Sequence, residues 1–318
     1  MKLNSTFRHI PALLIIASTL YSCSKSNEGS PLPVKTVDVT PKSKHVYGLL
    51  PTTPEEYASI PVYSKDEFQH KYALSSITPA PAVMTLATPA VRDQGQIGAC
   101  TGFCGAEAYE ILWNYKYGSF PPILSPAFLY YEERVKLRKE NIVADDGANM
   151  INIDQVLTRF GITTEDLYAY PANDYSKDYA TPPSAVAIST ALGYRIGSYT
   201  LIKSGDTAAV KNCIRNHIPV MMGFNVYDNV NTYAYFENLS TTRYTYNPIN
   251  TSGTIAKGLM LLGAHATPIV GYNDNRKAFL VQNSWGTSWG LNGFYYMPYR
   301  VFANPEIVPP GNVYFATL

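Results

Sequence analysis

The sequence predicts an α+β protein of two lobes with a groove between them, and three observations carry that expectation. Helical periodicity is confined to the first half of the globular part. Short runs rich in β-branched and aromatic residues, bounded by turn residues, fill the second half. Helices first and strands second favour two segregated layers over an alternating α/β sheet.

The elements follow in chain order. Residues 1–22 read as an export signal: Lys2 and Arg8 form a positive n-region, and Ile10 to Leu20 an apolar stretch too short to span a bilayer. The stretch ends in Leu20-Tyr21-Ser22-Cys23, which is similar to a bacterial lipoprotein processing box. Cleavage there would leave Cys23 as an acylated N-terminus, holding the protein on a membrane outside the cytoplasm. Residues 23–85, rich in Pro, Ser, Thr and Lys, are expected as a tether and lead-in. Within them Ser64-Lys-Asp-Glu67 is a capping box that opens a short helix through about Leu74. From 86 to 318 the pattern is globular. A helix is predicted over Cys100–Tyr117, stopped by Gly118, and a second from Ser125-Pro126 to about Lys139. A third covers about Met150 to Phe160 and stops at Gly161, and a fourth holds Cys213. Strands are predicted over Pro219–Val226, His265–Tyr272, Ala278–Asn283 and Gly293–Met297.

Composition bounds the partners. Apolar residues make up 46% of 318, enough for a sizeable core, and charged residues only 15% with a net charge of +1. That balance gives no electrostatic reason for a nucleic-acid partner. With Cys23 acylated, Cys100, Cys104 and Cys213 remain, and an odd number in an exported chain flags a free thiol. Cys213 reads as a buried apolar thiol, with a disulfide to Cys104 left open.

The chemistry concentrates in Asp93-Gln-Gly-Gln-Ile-Gly-Ala-Cys100. A thiol at a helix N-terminus has its thiolate stabilised by the helix dipole and unpaired N–H groups, so its pKa is expected to fall. Gln94, just before it, carries an amide able to donate to an oxyanion. His265 and Asn283 lie far downstream on predicted strands.

These residues sit in four blocks: Pro89-Ala-Val-Arg-Asp-Gln-Gly-Gln-Ile-Gly-Ala-Cys100-Thr-Gly-Phe; Ile123-Leu-Ser-Pro-Ala-Phe-Leu-Tyr130 with Asp146-Gly-Ala-Asn149 and Gly161-Ile-Thr-Thr-Glu165; Gly263-Ala-His265-Ala-Thr-Pro-Ile-Val-Gly-Tyr272; and Val281-Gln-Asn283-Ser-Trp285-Gly-Thr-Ser-Trp289-Gly. In that order they resemble the papain-like cysteine peptidases. The resemblance implies a helical left lobe, an antiparallel β-barrel-like right lobe and an active-site cleft between. It implies Cys100 as nucleophile, His265 as general base and acid, Asn283 as the group orienting the imidazole, and Gln94 as oxyanion donor. Gly147 and Ala148 would pair with the substrate backbone. Gly223, Ala264 and Ala266 would line the pocket for the second residue before the scissile bond, and Trp285 would shield the His–Asn bond. No cofactor or metal is implied, and the partner is a protein or peptide substrate.

Departures from the pattern are specific. Ile97 stands where the family has a disulfide cysteine, and Thr101 replaces the usual aromatic residue after the nucleophile. The interval from Cys100 to His265 exceeds the roughly 130 residues typical of the family, with the excess expected in Tyr227–Leu262. The family's helical pro-segment pattern is missing from 24–85, although that stretch could still lie across the cleft. Two rival motifs fail. Gly286-Thr-Ser288-Trp-Gly290 fits a nucleophile elbow, but no histidine follows His265. Cys100 and Cys104 with His265 would give a metal only three ligands. The expected function is a membrane-tethered cysteine peptidase of a bacterial envelope. Other tasks on the same scaffold (aminopeptidase, amidase, acyltransferase) and a catalytically silent surface binding protein are the alternatives.

Overall fold

The computed structural model describes residues 45–72, 80–140, 144–171 and 180–318, all within one compact unit. The signal, Cys23 and the first part of the tether lie outside the described residues.

The lead-in contributes helices α1 (Pro54–Tyr57) and α2 (Lys65–Tyr72) and strand β1 (Val83–Thr85). Thr53 and Glu56 form a reciprocal capping box on α1. At α2, Ser64 Oγ accepts from Glu67 N at 3.5 Å, and the helix runs to the edge of the described segment. Ile60 and Phe68 from this stretch are buried in the main core.

One lobe is helical. Helix α3 (Cys100–Tyr117) spans the predicted range and ends at Gly118 with a left-handed φ of 80°. Thirteen of its residues, Cys100 to Leu112, are buried, because the helix sinks between the other helices and the sheet. Helix α4 (Pro126–Tyr131) starts where Ser125 Oγ accepts from Phe128 N at 3.0 Å. The predicted regular helix to Lys139 does not continue: residues Glu132–Leu137 form a π-helical turn. Helix α5 (Met150–Arg159) is capped by Asn149, whose Oδ1 accepts from Asn152 N while Asn152 Oδ1 accepts from Asn149 N.

The second lobe is built on a seven-stranded antiparallel sheet. After α6 (Ala185–Ala191) come β2 (Ser198–Leu201), α7 (Thr207–Arg215), β3 (Val220–Asp228), β4 (Met260–Asn273), β5 (Ala278–Gln282), β6 (Phe294–Pro298), α8 (Tyr299–Phe302) and β7 (Val313–Thr317). The order is β2-β7-β3-β4-β5-β6, with β1 added against β4. The path is open, so the barrel-like lobe expected from the resemblance is an open sheet rather than a closed barrel. Strand β4 is long enough to change partners: its first half pairs with β3 and its second half lies between β5 and β1. The extra chain length falls between β3 and β4, where residues 229–259 form a loop that packs Phe236 and Tyr246 beside His265. Among the described residues, no helix is long and apolar enough to cross a membrane.

Candidate active site

Helix α3 and strand β4 meet edge to edge, and that meeting positions the site. Cys100 is the first residue of α3 and Ala99, its N-cap, offers no side-chain bond to the first turn. The preceding turn is held by Asp145, whose carboxylate accepts from Gly98 N at 3.0 Å. The Cys100 thiol accepts from the backbone N–H groups of Ala266, Gly48 and Thr101. It therefore lies against the residue that follows His265 on β4.

His265 sits opposite Phe224 in the β3–β4 register, with the Phe224 and Phe236 rings 5.9 and 6.1 Å away. Its Nε2 pairs with Asn283 Oδ1 at 2.7 Å. Asn283 follows the end of β5, and its Oδ1 also accepts from Ser284 N at 2.9 Å. An oxygen that accepts from both sides fixes the Nε2–H tautomer, and the buried Nδ1 of the ring makes no hydrogen bond. The indole of Trp285 lies 5.0 Å from the imidazole, against the ring that makes this bond. Gln94 is fully buried, and Ser284 Oγ donates to its Oε1 at 2.6 Å. That bond orients the amide, so Nε2 points at Ile97 O (3.0 Å) and at Val46 O (3.5 Å).

Val46 belongs to a strap of the chain's own lead-in that fills the groove. His45 stacks on the outer face of Trp285, with centroids 3.7 Å apart and planes 3° from parallel. His45 Nδ1 and Tyr47 Oη both bond the Glu237 carboxylate, at 2.7 and 2.6 Å. Gly48 passes so close to Gly98 that a Cβ would meet its carbonyl oxygen at 1.9 Å. Gly48 O accepts from Ala148 N (3.0 Å), Leu50 N donates to Ala148 O (2.8 Å), and Leu49 N donates to Ala264 O (3.2 Å). The Leu49 side chain stands 2.7 Å from where a Cβ on Gly223 would be. Every residue singled out as a substrate contact, Gly147, Ala148, Gly223, Ala264, Ala266 and Trp285, thus lies beside the strap or beside the thiol it covers. Gly147, with φ of 82°, leaves just enough space for Gly48 O.

Burial sets the electrostatics. It pushes the Cys100 thiol up to about 12, with the three backbone donors opposing and the Glu133 carboxyl adding to the shift. It pushes His265 down to about 4, against the opposing bond to Asn283. The lowered thiol pKa expected at a helix N-terminus is therefore opposed here by burial. At Cys100 desolvation outweighs the helix dipole, and at His265 it works against the charged imidazole.

The substituted positions are filled in kind. Ile97 packs with Phe103, Tyr130 and Ala148. Thr101 Oγ1 donates to the buried Glu133 at 2.5 Å. Cys100, Cys104 and Cys213 are all free thiols, so the open disulfide does not form. No metal cluster occurs among the described residues. The four central residues, Gln94, Cys100, His265 and Asn283, are brought together. Ser284, Tyr47 and Glu237 were not singled out in the sequence, and His45 reads there as structural or incidental; Ser284 alone carried a signal, as the polar neighbour of Asn283.

Comparison with known proteins bears on the family and the fold. A profile described as papain family cysteine protease matches residues 84–307. A peptidase C1-like protein of Acanthamoeba polyphaga mimivirus is 28% identical over 223 residues, covering 68% of this chain and 66% of that protein. Mouse cathepsin K is 28% identical over 206 residues, covering 64% and 54%. The chain thus spans between about half and two thirds of the curated relatives it matches. Among solved structures, xylellain, a cysteine protease from Xylella fastidiosa, superposes with a TM-score of 0.70 at 26% identity over 86% of this chain and 97% of that one. Procathepsin L2 from Tenebrio molitor shares the fold, with a TM-score of 0.63 at 21% identity. With a family profile across most of its length and the cysteine, histidine and asparagine meeting between its lobes, the chain belongs to the papain family of cysteine proteases.

Proposed function

We propose that this protein is a cysteine peptidase, anchored outside the cytoplasm by lipid on Cys23, and that the strap at residues 45–50 holds it latent. Cys100 attacks the scissile carbonyl and forms a thioester. His265 takes the thiol proton, gives it to the leaving amine, and then activates water. Asn283 holds the ring, while Gln94 Nε2 and the Cys100 N–H receive the oxyanion. The observation that carries this reading is the 2.7 Å bond from His265 to Asn283 beside a thiol lodged on the Ala266 amide. A binding module has no need of that combination.

The strap lies against the sulfur, with the Gly48 N–H bonded to it, and so covers the thiol. Its departure would re-admit water, let the thiol pKa fall and the imidazole pKa rise, and allow the thiolate–imidazolium pair to form. The test compares the full chain with the double variant Y47A/L49D, in which the strap loses its grip on Glu237 and on the apolar pocket. Iodoacetamide at pH 6 should label Cys100 at least tenfold faster in the variant, and His265→Ala should remove that gain. Cys100→Ser should abolish peptide hydrolysis. Equal labelling of strapped and loosened chains would sink the latency; hydrolysis surviving Cys100→Ser would sink the mechanism. For the anchor, Cys23→Ser should move the protein from the membrane fraction to the soluble one, and an unmodified Cys23 in the mass spectrum of the wild-type chain would overturn it.

A further inference from the structure

The course of the chain beyond the strap says which peptide bonds the unblocked cleft can reach, an inference that rests on the peptidase reading. Gly48 lies at the sulfur, Leu49 in the pocket assigned to the second residue before the scissile bond, and Leu50 on the next backbone bond, to Ala148. A substrate followed from its scissile bond towards its N-terminus would take the same three places in that order. The next places are taken by the chain itself, and they are held by different contacts from those of the strap. Thr52 Oγ1 donates to Asn312 Oδ1 at 3.1 Å. Asn149 Nδ2, at the cap of α5 next to Ala148, donates to Glu56 Oε1 at 2.9 Å. Tyr57 packs on Gly311, where a Cβ would meet its ring at 2.3 Å. Further on, Ile60 and Phe68 enter the main core and residues 61–63 pair with Leu201.

The two halves of the lead-in are therefore built for different fates. Residues 45–50 rest on the reactive groups and must leave for any substrate to bind. Residues 52–68 are tied down by the contacts of Thr52, Glu56 and Tyr57 and by the buried Ile60 and Phe68, and stay when the strap leaves, with Pro51 as the stiff joint between the two halves.

We propose that Pro51–Tyr57 closes the cleft beyond the third residue on the N-terminal side of the scissile bond, and that the enzyme is an exopeptidase releasing di- and tripeptides from free N-termini. In each cycle the thioester carries the short N-terminal piece. The rest of the chain departs as an amine with the proton from His265, and water then releases the piece as a free acid. Glu56, whose carboxylate is held by Asn149 Nδ2 and by Thr53 N, supplies negative charge near the substrate's α-ammonium group.

The test uses the full-length Y47A/L49D chain and peptidyl chloromethyl ketones that end in the same two residues, with labelling of Cys100 followed by mass spectrometry. A dipeptidyl reagent with a free amine should label at least ten times faster than an N-acetylated hexapeptidyl one. The difference should shrink when T52A and E56A loosen the closing segment. Equal or faster labelling by the hexapeptidyl reagent overturns the closure while leaving the peptidase reading intact. A difference unchanged by T52A/E56A overturns its assignment to this segment. Reaction with iodoacetamide but with neither peptidyl reagent overturns the peptidase reading and this inference together.

Discussion

Ser284 ties the two halves of the candidate site together with two bonds, one from its N–H to Asn283 Oδ1 and one from its hydroxyl to Gln94 Oε1. The second works with the Gln94 Nε2 bond to Ile97 O at 3.0 Å to hold the amide in one orientation, so losing it loosens that orientation. In the strap-loosened chain, Gln94→Ala should lower kcat by roughly 10²–10³, the usual cost of an oxyanion donor. Ser284→Ala should cost about tenfold, as one neutral hydrogen bond of about 1–1.5 kcal/mol implies. Steady-state kinetics with KM nearly unchanged would support both; an S284A loss that falls only on KM would count against the orienting role. Buried carboxyls make a second prediction at this scale. Glu133 and Glu107 are both pushed up to about 8 by burial, so in the fold they hold a proton that the unfolded chain releases near 4.5. The unfolded state binds fewer protons between those values, and stability must fall as pH rises from about 4.5 to 8. His265 acts in the opposite sense: the unfolded chain binds its proton below 6.5 and the fold only below about 4, so stability falls as pH drops through that window. Melting temperatures from pH 5 to 8 should therefore decline less steeply in Glu133→Gln than in the wild type. Parallel slopes would mean that Glu133 is already ionised in the fold.

Local signals set the elements that local signals can set. Helix α3 was legible from Cys100 to Gly118 because its apolar stripe and its glycine stop are contained within the segment. The π-helical turn after α4 was not, because its cause lies elsewhere in the fold. Glu132, Glu133 and Arg134 are consecutive charged residues and all are buried, which no surface helix pattern anticipates. Glu133 turns to Thr101, while Arg134 donates to Ala144 O and covers the Tyr130 ring at 4.4 Å. A wider turn is what lets neighbouring side chains reach such different partners. That residues 24–85 could lie across the cleft was legible, but the contacts that hold the strap were not, since His45 meets Glu237 across 192 residues. Its own geometry nonetheless yields a sharp test. Gly48→Ala places a methyl 1.9 Å from Gly98 O, a backbone atom that cannot yield, so the strap must lift while the rest of the fold has no reason to change. Thiol labelling of Cys100 should rise at least tenfold in Gly48→Ala with little loss of melting temperature. Slow labelling would show that the strap adapts and is not governed by this contact.

For the whole molecule, the order of helices and strands and the nearness of the proposed site residues were legible because they lie in contiguous runs whose chemistry is recognisable residue by residue. The boundary at residue 86 follows a shift in composition from Pro, Ser and Thr to apolar periodicity, yet composition does not report packing. Ile60 and Phe68 lie upstream of that boundary and are buried in the same core as the sheet, with Phe68 5.7 Å from Phe315. Tyr63 adds a hydrogen bond to Asn212 and an edge contact to Phe315. Two truncations separate the roles. A chain beginning at Thr52 lacks the strap but keeps these anchors, so it should fold cooperatively and expose a thiol that alkylates rapidly at pH 6. A chain beginning at Leu86 also loses Phe68 and Ile60 from the core, along with the β1 pairing to β4. A buried Phe alone is worth roughly 3–5 kcal/mol against Ala, a large share of the roughly 5–15 kcal/mol that holds a domain together. The shorter chain should therefore melt at least 10 °C lower or fail to accumulate as folded protein. If instead the two truncations unfold together in a denaturant titration, the lead-in is dispensable to the fold, and the closing role given to Pro51–Tyr57 loses its anchor.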